Sequence, residues 1–521
     1  MLNLITWHKS KLLYLFIAIT VAILTTGFLR LQLLTGLPET DGGEYTFASQ
    51  YIYYALINGE PLRGMPLFLY QLMTSWVYGL EVNQYIFLRV IDGLVAVVAS
   101  IILFKVILKE SGGTLFTVIL VTTLLIFLND TLYIGYGYKN SIWASYLPLF
   151  SALLIWQNST KEDKYSFYLI GGLVSLGVLL REAFLPFFLL AAIAILISYG
   201  WRTLFKYLIS SAVLGFSVLG LMLMLRGWDL LDLINAYLGI AMTYGSWQSG
   251  VLFNISGLIK NNWFILATAS ASIIYLIKLH FSNNKLVNIN RIYFWLAVVL
   301  LPLIEPIMKT GFPYHYSICL LGLGGLSAMG WKYINIHESK RVNVALLMII
   351  SLISLFVIIP KGINPIINSQ SLTTPLHAYQ FSTKENFFRF PTVIERNQYL
   401  IAASKIYENS HEDSTLAVSG IMGVIYPLTE LLPPTFELND LGRLYIKLNY
   451  DKDKLIRIIA KHRPTIIMTS GILANYEQEL SNIIEKTNIY EKIAILHGNQ
   501  KIEYGWKFKQ PGIIYRLKDF K

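Results

Sequence analysis

Between residues 12 and 359 the chain returns repeatedly to runs of apolar residues long enough to cross a lipid bilayer, and this feature leaves few folds open to it. Crossing about 30 Å of hydrocarbon takes about 20 mostly apolar residues, wound into a helix so that every backbone N–H and C=O is satisfied within the segment. By that measure about eleven segments qualify. They are 12–34, 85–108, 115–128, 141–156, 166–180, 183–198, 204–225, 263–279, 293–308, 317–333 and 342–359. A chain of 521 residues that is 55% hydrophobic and 14% charged, with a mean hydropathy of +0.54, does not have water as its main solvent. Its 33 Tyr and 11 Trp suit a protein whose amphipathic rings lie at headgroup level. The net charge of +11 raises the question of nucleic acid, yet Lys and Arg are nowhere dense enough to track a phosphate backbone, so no nucleic-acid partner is expected. Cys319 is the only cysteine, which excludes an intrachain disulfide and a thiolate-rich metal site.

Basic residues collect at alternate ends of these segments: Lys9 and Lys11, Lys105 and Lys109, Lys161 and Lys164, Arg202 and Lys206, Lys278 with Lys285 and Arg291, and Lys332 with Lys340 and Arg341. The tendency of such residues to stay in the cytoplasm puts the N-terminus inside. Loops 36–84, 129–140, 181–182, 226–262 and 309–316 then lie outside, as does the tail. His8, Lys9 and Lys11 before the apolar run 12–29 look like a signal peptide, but no small-residue cleavage site follows, so the segment reads as a retained first span. From about Phe381 the apolar runs shorten. Helix-like stretches at 398–408, 453–461 and 476–485 alternate with strand-like runs at 415–418, 465–469 and 493–497, the pattern of a small α/β domain. The expected architecture is a polytopic α-helical membrane protein (1–360), a linker (361–380) and an extracytoplasmic α/β domain (381–521).

The first outer loop reads L-P-E-T-D-G-G-E-Y-T-F-A-S-Q-Y-I-Y-Y-A-L-I-N-G-E-P-L-R-G-M-P-L-F-L-Y. Asp41 and Glu44 stand just past the first span, at the head of an expected interfacial helix with Tyr45, Ala48, Ile52, Ala55 and Leu56 on one face. Three-residue spacing brings two carboxylates together on a helical turn. Such a pair can deprotonate a hydroxyl, hold a metal, or cap the helix, Asp at the cap with Glu three residues on. Arg89, Lys139, Arg181, Glu182, Glu305, Lys309 and His315 also map to the outer half of the membrane. Ionisable groups at such depth are costly and usually face a functional interior. Each has a bland role: Arg89 with Asp92, Arg181 with Glu182, Lys139 among headgroups, His315 at a helix end. Converging, they can hold a lipid phosphate while a carboxylate acts on an incoming hydroxyl.

D-G-G-E-Y, then A-L-I-N-G-E-P and M-P-L-F-L-Y, resembles the first outer loop of the GT-C membrane glycosyltransferases. The nearest likeness is to the bacterial relatives of protein O-mannosyltransferase and of the lipid A aminoarabinose transferase. L-R-V-I-D-G-L-V-A around Arg89, L-L-R-E-A-F-L-P around Arg181 and G-F-P-Y-H-Y-S-I-C-L-L-G around His315 look like later family segments, so the likeness runs over roughly residues 12–330. Where the family has D-E-x-x-Y or D-E-x-E-Y, this chain has Gly42 in place of the second acid and keeps Glu44. Met65-Pro66-Leu67 stands for Pro-Pro-Leu, and the proline of the last segment is missing.

The resemblance implies a bacterial plasma-membrane enzyme that moves a sugar from a polyprenyl-phosphate donor to an acceptor hydroxyl of unknown kind, on a glycan, lipid or protein, with inversion. It makes Asp41 the general base and Glu44 a supporting carboxylate. The leaving phosphate falls to Lys139, Arg181, Lys309 and His315, with Arg63, Arg89, Glu182, Glu305 and Tyr45 in support. Gly42 and the lack of an Asp-x-Asp in the loop point to a reaction without a metal or other cofactor, a divalent ion on the two carboxylates being the alternative. Loop 226–262, with Trp228, Tyr237, Tyr244 and Trp247, reads as a lid or as a helix passive in the headgroups. The tail carries no nucleophile elbow, phosphate loop or zinc spacing and reads as a packing or acceptor-recognition module. The competing reading is a multi-span transporter or lipid flippase, which also needs charges in its spans.

Overall fold

A computed structural model describes residues 2–31, 40–62, 69–80, 84–129, 141–160, 162–163, 165–181, 184–235, 238, 251–282, 289–303, 317–358, 396–419, 423, 425–469, 474–496 and 512–519. Within the described residues, every apolar segment singled out above lies on a helix. The first, α1, runs through Leu2–Ala22, a π turn at Ile23–Gly27 and a last turn at Phe28–Leu31. Then come α2 (Thr40–Ile57), α3 (Leu69–Ser75), α4 (Gln84–Ser111), α5 (Thr114–Leu128), α6 (Ser141–Asn158), α7 (Ser166–Leu180) and α8 (Leu185–Tyr199). They are followed by α9 (Trp201–Arg226), α10 (Val251–Phe281), α11 (Ile289–Leu300), α12 (Ile318–His337) and α13 (Lys340–Ile358). By length and composition, Leu12–Arg30, Phe87–Ser111, Trp201–Arg226 and Asn262–Phe281 are each long and apolar enough to cross a membrane. The outward faces agree: Phe216, Met224 and Phe281 are 73%, 81% and 81% exposed, a surface suited to lipid and not to water.

The axis of the bundle is α12, which packs against α4, α5, α10 and α11 and buries every residue from Ile318 to Trp331. Such close approach requires small residues. A Cβ on Gly325 would lie 2.2 Å from the Trp295 ring, and one on Gly330 would lie 2.2 Å from Ser272. Helix α4 carries a buried acid near each end. At one end Glu110 accepts from Gln157 Nε2 at 2.7 Å and pairs with Arg291 Nη2 at 2.9 Å, while Lys109 donates to the Gln157 carbonyl at 2.6 Å. At the other stands Asp92, 18 residues earlier, which is about 27 Å along the axis at about 1.5 Å per residue.

Beyond α13 the chain is described again from α14 (Arg396–Glu408), followed by β1 (Leu416–Val418), α15 (Ile425–Thr429), α16 (Leu441–Lys447) and α17 (Lys452–His462). The rest is β2 (Ile466–Thr469), α18 (Ala474–Lys486), β3 (Tyr490–Leu496) and β4 (Gly512–Leu517). The three expected strands and three expected helices are present, and β4 is a strand that the sequence reading missed. The sheet order is β1-β2-β4-β3. β1 and β2 are parallel, with Leu416 opposite Ile466, and β4 runs antiparallel to both of its neighbours. Side chains alternate across the pleat. Leu416, Val418, Ile466, Met468 and Ile514 enter one apolar cluster, whereas Ala417, Ile467, Tyr515 and Leu517 enter another with Leu455, Ile459, Leu480 and Ile483.

The first of those clusters is not confined to the tail. It continues into Phe47, Tyr51, Ile52 and Ala55 of α2, Leu62, Leu69 of α3 and Met222 of α9, with Leu176, Leu179 and Leu180 of α7 packed against it. The tail domain therefore caps the end of the bundle where α7 and α9 finish, the end that also carries Asp92.

Candidate functional site

The N-terminal turn of α2 carries Asp41, Glu44 and Tyr45 in helical backbone; their side chains lie outside the described residues. The helix itself is gripped from several directions. Phe47, Tyr51, Ile52 and Ala55 are buried, the i, i+4, i+5, i+8 spacing of one helical face. This corrects the expected interfacial helix: Ile52 and Ala55 keep their place on the buried face, but Leu56 is exposed and Phe47 and Tyr51 are inside. The cause is the tail domain, which supplies an apolar partner that the loop sequence cannot announce. On another face, Ser49 Oγ lies 2.9 Å from Thr74 Oγ1, and the Tyr78 hydroxyl donates to the Thr46 carbonyl at 3.0 Å. Burial pushes the Tyr78 phenol well up from its ordinary value. The Tyr54 phenol is raised too, by burial first and then by the Glu430 carboxylate of the tail. Tyr53 closes the arrangement, packing with Val77, Tyr78, Leu88, Phe87 and Ile91 and so joining α2 to the start of α4.

One turn further along α4, Asp92 is buried and ion-paired with Arg30 of α1. Arg30 Nε also donates to Asn129 Oδ1 at 3.2 Å, and its guanidinium lies 5.6 Å from the centre of the Trp143 ring. Asn129 Nδ2 donates to Thr26 Oγ1 at 3.2 Å, which in turn lies 2.7 Å from Ser100 Oγ. Three helices, α1, α4 and α5, are thus tied by one polar network, with Trp143 of α6 set against it. Arg30 holds the Asp92 carboxylate directly, and Arg89, 3% exposed, acts on it electrostatically as a second cation, as its spacing on α4 leads one to expect. Arg30 extends one hydrogen-bonding fork to an acid and an amide together.

The network runs on through aromatic rings. Trp143 meets Tyr146 edge-on at 5.5 Å, and Tyr146 stacks on Phe184 at 5.5 Å. The hydroxyls of Tyr146 and Ser317, the latter at the head of the axial helix, lie 2.5 Å apart. Phe184 lies 5.7 Å from the guanidinium of Arg181, which is 5% exposed. Arg226, at the end of α9, covers Trp228 at 4.4 Å, and the Leu225 carbonyl next to it accepts from Leu62 N at 3.0 Å, anchoring the chain that leaves α2. Arg30, Arg89, Arg181 and Arg226 are thus all buried at the end of the bundle where α2 sits.

Of the residues expected from sequence, Arg89 and Arg181 fall within this layer. Arg63, Lys139, Glu182, Glu305, Lys309 and His315 lie outside the described residues, as do Tyr237, Tyr244 and Trp247 of the expected lid. Arg30, Asn129, Trp143, Tyr146 and Ser317 were not foreseen. Arg30 had the same signal as Arg89, an arginine ending an apolar run. Asn129 and Ser317 look like ordinary loop residues until their partners are known. Among the described residues, no three His, Cys, Asp or Glu side chains converge as a metal site would require.

No family model matches the sequence, and no curated protein does. Among solved structures the chain is similar to ArnT from Cupriavidus metallidurans, crystallised in the apo state. The TM-score is 0.53 over 99% of this chain and 99% of that one, at 9% sequence identity. The chain shares the overall fold of that structure.

Proposed function

From a GT-C-like fold and the layer of arginines at its capped end, we propose that the chain is a membrane glycosyltransferase that moves a sugar from a polyprenyl-phosphate donor to an acceptor hydroxyl. The observation that carries this reading is the meeting of three features at one end of the bundle: buried Arg181 beneath Phe184 and Tyr146, the Arg30–Asp92 network, and the first turn of α2. A polyprenyl phosphate leaves readily only where its growing negative charge meets preorganised cations in a water-poor setting. Arg181 fills that role, with Lys139, Lys309 and His315 as its partners.

In the reaction, the Asp41 carboxylate takes the proton of the acceptor hydroxyl as its oxygen attacks the anomeric carbon. The bond from that carbon to the phosphate oxygen breaks on the opposite face, and the polyprenyl phosphate departs with the bonding electrons. A single displacement inverts the anomeric configuration. Glu44, Tyr45, Arg63, Arg89, Glu182 and Glu305 support the groups in contact with substrate. The transfer needs no metal, and it takes place at the outer leaflet of a bacterial plasma membrane, where the tail domain lies.

The test uses purified full-length protein in detergent with polyprenyl-phosphate pentoses and hexoses. The expected result is release of polyprenyl phosphate that survives chelation of divalent ions and drops about 10²- to 10⁴-fold in Asp41→Asn, with inverted product. Movement of lipid between leaflets without cleavage would sink the enzyme reading in favour of a flippase. Full activity in Asp41→Asn would remove Asp41 as the base.

A further inference from the structure

The tail domain does more than sit above the membrane. We infer that it is a positioning device for the reaction proposed above, fixing the rotation of α2 through an aromatic clamp and with it the setting of the helical turn that bears Asp41 and Glu44.

The clamp is built from two rings of α2 and two of the tail. Phe47 lies 4.3 Å from Tyr426 and 6.1 Å from Phe436, ring centre to ring centre, and Tyr51 lies 4.9 Å from Phe436. Phe47 is 1% exposed and Tyr426 is fully buried. Tyr426 is itself anchored, since its hydroxyl donates to the Asn439 carbonyl at 3.0 Å. Asn439 ends the short 3-10 turn Phe436–Asn439 that presents Phe436, and Asp440 after it caps α16 by accepting from the N–H groups of Gly442 and Arg443 at 3.0 and 3.2 Å. Each ring on the tail side is therefore held by local structure before it meets α2.

The leverage is short. Phe47 is three residues from Glu44 and six from Asp41, about 9 Å along the helix. By helical register both acids fall on the face that also carries Ala48, Tyr51, Ile52 and Ala55. A helix turned by one residue swings such a face through about 100°. The rings allow no such turn, because interlocked aromatic packing has few arrangements of comparable density. The tail thereby reaches the reacting groups without supplying one, and it does so from one face of its sheet only. The opposite face packs on α16, α17 and α18, Leu455 and Ile459 of α17 among them, and that cluster holds no side chain of α2 among the described residues.

The two faces make the test decisive. Phe47→Ala and Tyr426→Ala are expected to lower turnover at saturating polyprenyl-phosphate sugar by about ten- to a hundredfold, the cost of a small misplacement, with KM for the donor nearly unchanged. The double variant is no slower than the worse single one, and Tyr426→Phe, which keeps the ring and loses only its anchoring hydroxyl, is slowed less than Tyr426→Ala. Leu455→Ala destabilises the tail from its other face and leaves turnover intact. Backbone hydrogen exchange at 40–46 accelerates in Phe47→Ala and not in Leu455→Ala. Normal turnover in both alanine variants of the clamp, or equal loss in Leu455→Ala, overturns the inference while leaving the glycosyltransferase reading in place. If the unaltered chain cleaves none of these donors, that reading falls, and unchanged exchange at 40–46 in Phe47→Ala then overturns the clamp independently.

Discussion

Replacing Asp92 by leucine removes the carboxylate that faces Arg30 in a place where neither partner reaches water: the two side chains are 2% and 5% exposed. Two unit charges about 4 Å apart attract by about 4 kcal/mol at an effective dielectric constant near 20, and Arg89 adds a second, weaker attraction. Breaking a buried pair from one side generally costs about 3–5 kcal/mol, because the remaining charge is left in a poor solvent. Asn129 Oδ1 still accepts from Arg30, but a neutral amide compensates only part of a full charge. Asp92→Leu is therefore expected to cost about 3–5 kcal/mol, and Arg30→Met a similar amount. The double variant, which removes both charges and restores apolar volume, should be more stable than either single one. Unfolding by a denaturing detergent titrated into mixed micelles, followed by circular dichroism, yields the four free energies of the cycle. Glu110→Gln is the internal comparison, since Arg291 opposite it is 27% exposed and can turn to water, so its loss is smaller. The reasoning is refuted if the two single losses simply add in the double variant, or if Asp92→Leu is no worse than Glu110→Gln.

Three further outcomes follow from the same packing and charge arguments. Gly325→Ala drives a methyl group into the Trp295 ring and is expected to destabilise the bundle by about 1–3 kcal/mol, visible as a lower unfolding midpoint, whereas Gly220→Ala, with open space beyond it, leaves the midpoint in place. Arg181→Gln is expected to reduce donor cleavage about 10²- to 10³-fold, with a smaller effect on donor binding, since the cation serves most when charge develops on the leaving phosphate; equal losses in both would contradict that role. Tyr490 in the tail is buried, and burial pushes its phenol above the usual value near 10 while the hydroxyl donates to the Pro464 carbonyl at 2.9 Å. A phenol raised on folding stabilises fully below the unfolded value and loses that contribution as pH climbs through the folded one, so the tail should unfold in alkali above about pH 10, together with the appearance of phenolate absorbance, and Tyr490→Phe should blunt the effect.

The helices of the bundle were legible because each is a long apolar run, and the demand that lipid places on the backbone permits only one conformation for such a run. Helix ends were legible to within a few residues, as at 183–198 against Leu185–Tyr199, because Pro186 and Gly200 mark them. β4 was not, since Gly-Ile-Ile-Tyr-Arg-Leu is too short to stand out and owes its conformation to pairing with β2 and β3. In the candidate site, Arg89 and Arg181 were visible as charges where charge is costly. Arg30, Asn129 and Ser317 were not singled out, because what matters about them is a partner from 62 to 171 residues away, and local pattern holds no record of distance in space. The buried face of α2 was half right for the same reason: periodicity finds a helix, but which of its sides is covered depends on what arrives from residues 425–440.

The two acids of α4 set a fixed height on the protein. Asp92 with Arg30 and Glu110 with Arg291 mark planes about 27 Å apart, each a buried tie that holds α4 to its neighbours near one end of the helix. A slide of α4 along its neighbours would have to break both ties at once, so the helix is pinned in register along its whole length.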